Sequence, residues 1–322
     1  DMGESLSGQI AEAMQDRMTH QLQLMIQYNA RMLQQKGDLV QAWLKLLADA
    51  AEQSLAGRDP VSLPAYPAED FDAGRVPGTE IRDSKRHFFV TESEGRQPMS
   101  ISTHAQVIKL APGVDPEQAA EDIRNLSTLT DTYKSGYERH PNLFFWIYTS
   151  LESGVHSSFP GHGGYPADYD GRQRPWYRAA VEQGGSVWND TLIDATTQQS
   201  LVTASRPIFY PDGRLAGVVG IDVPMQALMN EIRTQAEISR DVSVFLVRAS
   251  TQHGNPSLEV LASLEGEPRD WRKTPDTRVL AIEDSAFYEM VNEIVGDKSG
   301  VTRLPYHGTD SVWAYGIFEQ TQ

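Results

Sequence analysis

The chain contains no cysteine, which excludes both a disulfide framework and a thiolate-held metal. It has no apolar run approaching the roughly 20 residues that a membrane-crossing helix requires. Its opening, DMGESLSGQIAEAMQ, lacks the basic segment and apolar core of a secretory leader. Cationic charge is scarce: 28 Lys and Arg stand against 44 Asp and Glu, a formal net charge of −16. That balance argues against nucleic acid, whose binding begins with neutralised phosphates, and against an anionic lipid surface.

Enzyme signatures are missing too. The glycine-rich GHGGYP is not followed by the Lys-Ser/Thr pair of a phosphate-binding loop. There is no Gly-x-Ser-x-Gly elbow and no His-Glu-x-x-His. His156 and His162 are the closest pair among eight scattered histidines. With no third ligand of matching spacing they read as structural or surface groups, and no metal or cofactor is expected. Two glycosylation sequons, at Asn125 and Asn189, are of a kind common by chance.

Proline is absent from residues 4–56. Ile10, Met14, Met18, Leu22, Met25 and Leu33 recur there at three- and four-residue steps, the period of an amphipathic helix. Gly37 predicts a break, with Asp38 capping a second run through Trp43, Leu44 and Leu47. So long a helix either packs along its own domain or forms a seam with a second copy. Residues 57–78 carry several prolines and no period, and read as an irregular crossing. A strand is expected over 100–110, then helices from Asp115-Pro116 and over 128–137, and strands over 143–151 and 154–159. Pro175 opens a short helix that Gly184-Gly185 closes, and Pro211-Asp212-Gly213 turns a hairpin between 200–210 and 215–223. A helix over 225–237 ends this part. The last 85 or so residues repeat the scheme more briefly, with strands around one helix at 284–295. The expected class is α+β with two antiparallel sheets.

The stretch GGYPADYDGRQRPWYRAA, residues 163–180, concentrates aromatic and charged side chains in a chain that is 9% aromatic. Tyr169, Arg174, Trp176 and Tyr177 fall within it, Asp194 follows in WNDTLIDATT, and Asp222 ends the strand GVVGID. Simple alternation places Asp222 on one face with Ala216, Val218 and Gly220, an apolar setting that a carboxylate tolerates only with a partner. A guanidinium forks onto a carboxylate, paired carboxylates hold an ammonium, and aromatic faces add cation–π attraction. The set therefore suits a small zwitterion or amine. The same residues also allow a plainer arrangement in which Arg174 pairs with Asp168 or Asp170 and Trp176 is core.

The segment YPADYDGRQRPWYRAAVEQGGSVWNDTLIDATTQQSLVTASRPIFYPDGRLAGVVGIDV closely resembles the membrane-distal module of double Cache (dCache) sensor domains. The order of elements elsewhere is similar to that family along nearly the whole chain. The resemblance implies two PAS-like modules with antiparallel sheets joined by a long N-terminal helix. Residues 1–57 would be the helical segment, 58–235 the ligand-binding distal module and 236–322 the membrane-proximal module. It implies a small-molecule sensor, not an enzyme, on the periplasmic or extracellular side of a bacterial inner membrane. The flanking transmembrane helices would lie outside this chain, and a homodimer through the N-terminal helix is a possible partner arrangement. In the amino-acid-binding branch, the residues matching Arg174 and Trp176 contact the ligand carboxylate and those matching Asp194 and Asp222 the ammonium. Tyr169 and Tyr177 complete the implied site. Leu192 stands where that branch has tyrosine. The lost hydroxyl counts against an ordinary amino acid and favours an amine, another small polar solute or a pocket that has lost its ligand. Gly171 stands where the branch has proline, which loosens that loop. The alternative is an interaction and dimerisation module whose pocket is vestigial.

Overall fold

The computed structural model describes residues 2–57, 63–91, 95–229 except 226, 232, 243–252, 255–264, 279–280 and 284–317. The proline-free opening forms one helix, α1 (Met2–Leu55). The break expected at Gly37 is not there, and Asp38 lies inside the helix rather than at a cap. A helical glycine costs about 1 kcal/mol against alanine. Burying Val40, Leu44 and Leu47 a few residues on contributes roughly 1.5–3 kcal/mol each and outweighs it.

Residues 38–228 gather into one compact unit, while α1 up to Gly37 groups with the described elements beyond Met229. The larger unit is built on a seven-stranded sheet in the order β1-β4-β6-β5-β10-β9-β8. These strands are β1 (Ala65–Pro67), β4 (Gln106–Leu110), β5 (Ile147–Leu151), β6 (Val155–Phe159), β8 (Val187–Ile193), β9 (Ser200–Phe209) and β10 (Leu215–Pro224). All pairs are antiparallel except β1 with β4, which run parallel. A second sheet holds β2 (Ile81–Thr91), β3 (Gly95–Ser102) and β7 (Gly161–His162).

Alternation along β5 divides the core. Ile147 and Leu151 join Leu44, Leu47, Leu126, Tyr133 and Phe144 on one face, supplied by α1, α3 (Ala120–Ser127) and α4 (Thr130–Arg139). Trp146 and Tyr148 join Met99, Ile101, Trp176 and Leu201 on the other, under β3 and α5 (Pro175–Gln183). The hairpin β9–β10 forms as its turn chemistry requires, with Gly213 at φ 84°.

Four local expectations change. The strand expected over 100–110 is split between β3 and β4, because the Ser102 hydroxyl accepts from the amides of His104 and Ala105 and turns the chain. Asp115 accepts from the Glu117 amide, yet the helix begins at Ala120. The crossing at 57–78 contains β1 and a short helix, α2 (Ala68–Asp72). A register shift between Leu215 and Gly217 turns Ala216 to the face of Val219 and Ile221. Val218 stays on the opposite face.

In the smaller unit, β11 (Val244–Gln252), β12 (Asn255–Leu264) and β13 (Val279–Leu280) form one sheet, and β14 (Gly300–Tyr306) with β15 (Thr309–Tyr315) another. Helix α6 (Ser285–Val295) starts where the Asp284 carboxylate accepts from the Ala286 amide. It buries Phe287, Met290 and Val291 against Leu258, Val260 and Leu304. Most of the helix expected over 225–237 lies outside the described residues.

Candidate functional site

Local punctuation sets the first wall. Pro175 occupies the first turn of α5, and Gly184 ends the helix at φ 67°, in the left-handed region that suits glycine. Arg174 therefore stands just before the helix, with extended backbone (φ −76°, ψ 146°). Among the described residues its guanidinium donates only to the Ile193 carbonyl, at 3.5 Å. The plainer pairing does not occur, since Asp170 is held by Arg172 at 2.8 Å. Among the described residues no carboxylate lies within ion-pair distance of Arg174.

Arg174 opens onto a cavity enclosing about 460 Å³ between atoms, its open mouth included. Tyr169, Trp176, Asp194 and Asp222 line it as well, and so does Leu192. Five of the six residues singled out in the sequence thus converge. Tyr177 does not line the cavity. It is buried beneath α5, and its hydroxyl donates to Glu152 Oε1 at 2.5 Å. Successive helical residues diverge by about 100°, so Trp176 and Tyr177 cannot share one wall.

The two aspartates are prepared alike. Asp222 Oδ1 accepts from the Tyr148 hydroxyl at 2.9 Å and the Thr203 hydroxyl at 2.6 Å. Asp194 Oδ2 accepts from the Thr197 amide at 2.7 Å and hydroxyl at 2.6 Å. Each carboxylate has one oxygen fixed by protein donors and the other left for the cavity. Burial pushes Asp222 up to about 7, and the charge of Asp194 adds to this. The Thr203 and Tyr148 hydroxyls and Arg174 oppose the rise.

The remaining wall comes from Trp146, Tyr148, Tyr165 and Thr203, which nothing in the sequence marks for the site, and from His156 and His162. His162 Nδ1 donates to the Gly163 carbonyl at 2.8 Å, which leaves Nε2 to accept from the Tyr165 hydroxyl at 3.0 Å. The His156 Nδ1 accepts from Ser150 Oγ at 2.6 Å, and Nε2 lies 3.4 Å from the Tyr165 oxygen. Burial holds His156 down to about 3 and His162 down to about 4, so both imidazoles are neutral near pH 7. His87, Trp146, His162 and Tyr165 stack in succession, with centroids 4.3, 4.1 and 4.6 Å apart. Gly171 packs behind this wall, where a Cβ would come within 2.2 Å of Ser150 Oγ, the atom hydrogen-bonded to His156. Among the described residues no cluster of three potential metal ligands occurs.

One consequence follows for folding. The folded chain binds the Asp222 proton up to about pH 7, well above the 3.8 of a free aspartate. This group therefore contributes stability that is fully present below pH 4 and is lost as pH rises through 7. Asp222→Asn should gain stability over the parent by a few kcal/mol between pH 4 and 8. Urea melts at intervals of one pH unit measure it, and a constant difference between the two proteins would contradict it.

Residues 123–230 match the family model of the methyl-accepting chemotaxis protein-like first PDC sensor domain. The methyl-accepting chemotaxis protein PscA of Pseudomonas syringae pv. tomato is 30% identical over 118 residues, 37% of this chain and 18% of that protein. PctB of Pseudomonas aeruginosa is 30% identical over 91 residues, 28% of this chain and 14% of that protein. The chain thus spans less than a fifth of the length of these curated relatives. Among solved structures, the ligand-binding domain of the Campylobacter jejuni chemoreceptor Tlp3, in complex with L-norvaline, is similar over 94% of this chain and 85% of that one. Its identity is 14% and its TM-score 0.43. The PctB ligand-binding domain in complex with L-Arg covers 45% of this chain and 75% of that one, at 20% identity and a TM-score of 0.31. Every side chain that lines the cavity lies within residues 123–230, the segment that matches the methyl-accepting chemotaxis protein-like first PDC sensor domain.

Proposed function

We propose that the cavity binds a small solute carrying an ammonium group, and that the chain is the extracytoplasmic input of a membrane signalling protein. Residues 58–235 form the ligand-binding module, 236–322 the membrane-proximal module, and 1–57 the helix leading to a membrane anchor. The ammonium sits between Asp194 Oδ1 and Asp222 Oδ2, with the faces of Tyr169 and Trp176 beside it. An anionic group on the same solute, where present, takes the Arg174 guanidinium. A zwitterionic amino acid or a small amine fits this description. The observation that carries the reading is the convergence of Arg174, without an ion-pair partner among the described residues, on two half-satisfied carboxylates. Leu192 sets an apolar side chain on the cavity wall near Asp194, where a tyrosine would present a hydroxyl. Thermal melting against a panel of amino acids, amines and organic acids tests the reading. Ammonium-bearing compounds should raise the transition, and a flat response to the whole panel would overturn it.

A dimer seam on α1 is a second element of the proposal, supported by a specific observation. Ile10, Met14 and Met18 are about half exposed or more, whereas Asn29, Val40 and Leu44, further along the helix, are buried. Paired through the exposed stripe, two chains would bury it as a coiled coil does. Met18→Glu should then weaken self-association in sedimentation without lowering the melting temperature. Unfolding at the same concentration would instead make Met18 part of the domain core.

A further inference from the structure

The ligand-facing residues leave unexplained a cross-strand pair directly behind Asp222. Gly220 on β10 pairs with Tyr148 on β5. A Cβ at Gly220 would meet the Tyr148 ring at 2.3 Å and its hydroxyl oxygen at 2.8 Å. The ring therefore lies along β10 over the space that any other residue would fill, and its hydroxyl reaches Asp222 Oδ1, two residues on. Thr203, paired with Asp222 across β9 and β10, reaches the same oxygen from the other side. Two hydroxyl donors on one carboxylate oxygen fix the rotation of the group.

We propose that Tyr148 is a positioning residue of this cavity: admitted by Gly220, it clamps Asp222 Oδ1 and so turns Oδ2 toward the solute. This rests on the ammonium-binding reading above and deepens it.

The groups facing Asp222 decide how such a role is read. Asp194 raises its proton affinity, while Arg174, Thr203 and Tyr148 lower it, and burial outweighs them all. Tyr165 and Tyr169 are held above their usual range by burial, and His156 and His162 below theirs. None of these four changes charge between pH 5 and 9, and the loss of a transition near pH 7 in Asp222→Asn assigns it to Asp222.

Carbon-13 NMR of the chain with labelled aspartate carboxyls provides the readout without any ligand. The parent should show one carboxyl titrating near pH 7 that Asp222→Asn removes. In Tyr148→Phe, which keeps the ring and loses only the donor, that midpoint should move upward, and Thr203→Val should move it in the same direction. A second arm uses L-arginine and γ-aminobutyrate as probes, titrated at pH 6, 7 and 8. Binding to the parent should strengthen with pH through 7. Tyr148→Phe should be weaker by about tenfold at pH 7, as for the loss of a hydrogen bond to a charged group, and should recover toward the parent at pH 8. A loss independent of pH would mark Tyr148 as structural packing only, and an unmoved carboxyl midpoint would overturn the proposal outright. If neither probe binds the parent, the ammonium reading fails for those compounds while the carboxyl titration still decides the role of Tyr148.

Discussion

Asp222→Ala and Asp194→Ala are each expected to weaken binding of an ammonium-bearing solute by about 2–5 kcal/mol, the cost of removing one partner from a buried charge pair. That corresponds to a loss from tens-fold to thousands-fold in affinity. The size of the effect comes from the setting rather than from the pair alone. Asp222 is 6% exposed and sits on an apolar sheet face beside Val218 and Gly220, where little water is at hand to replace it. Removing it also leaves the Tyr148 and Thr203 hydroxyls without their common acceptor. Removing Asp194 likewise frees Thr197. Asp222→Asn keeps an acceptor for both hydroxyls and loses the charge, so it should fold at least as well as the parent near neutral pH and still bind weakly. Calorimetric titration of the three variants separates charge from shape. Binding retained in Asp222→Asn but lost in Asp222→Ala would show that the carboxylate acts through its hydrogen bonds and not its charge.

Tyr133→Ala should be the most damaging single change to the larger unit while leaving the cavity wall in place. Tyr133 is fully buried, 0% exposed, in the core between α4 and the seven-stranded sheet. Its hydroxyl bridges Thr149 on β5 and Ser157 on β6 at 2.7 and 2.9 Å. Truncating a buried aromatic ring costs about 3–5 kcal/mol through lost transfer energy and the cavity left behind. The orphaned hydroxyls push the loss toward the upper end. For a unit of this size the melting temperature should fall by about 10 °C or more. Tyr133→Phe, which keeps the ring, should lose only about 1–3 kcal/mol. Tyr148 and Ser150 flank Thr149 and point to the other face, so the folded fraction of Tyr133→Phe should bind ligand with unchanged affinity. A weakened affinity would mean that the two faces of the sheet are coupled.

What was readable in the sequence was what local chemistry decides. Pro175 and Gly184 bound α5 by their own backbone preferences, and Pro211-Asp212-Gly213 turns the hairpin for the same reason. Arg174, Trp176, Asp194 and Asp222 were legible because they cluster near such punctuation or end a strand. Tyr177 was misplaced because adjacency in sequence is not adjacency on a helix. Tyr148 and Thr203 left no local signal: they reach the cavity only once β5, β9 and β10 are paired, and the partners that join β5 to β10 lie 66 to 74 positions apart. The bulge at Leu215/Gly217 has the same character. It reverses the face of Ala216, and nothing in the alternation of residues 215–223 announces it. Gly37 misled in the opposite direction, since a weak local preference yields to the burial of Val40, Leu44 and Leu47.

The central claim is that the cavity between Arg174 and the two aspartates holds an ammonium-bearing solute. Its most direct test is isothermal titration calorimetry at pH 8, with the parent chain and Asp194→Ala against amino acids, small amines and small organic acids. The account predicts one-to-one binding of at least one ammonium-bearing compound, no binding of organic acids that lack an ammonium, and loss of binding in Asp194→Ala. A parent chain that binds nothing in the panel, or an Asp194→Ala variant that binds as the parent does, would contradict it.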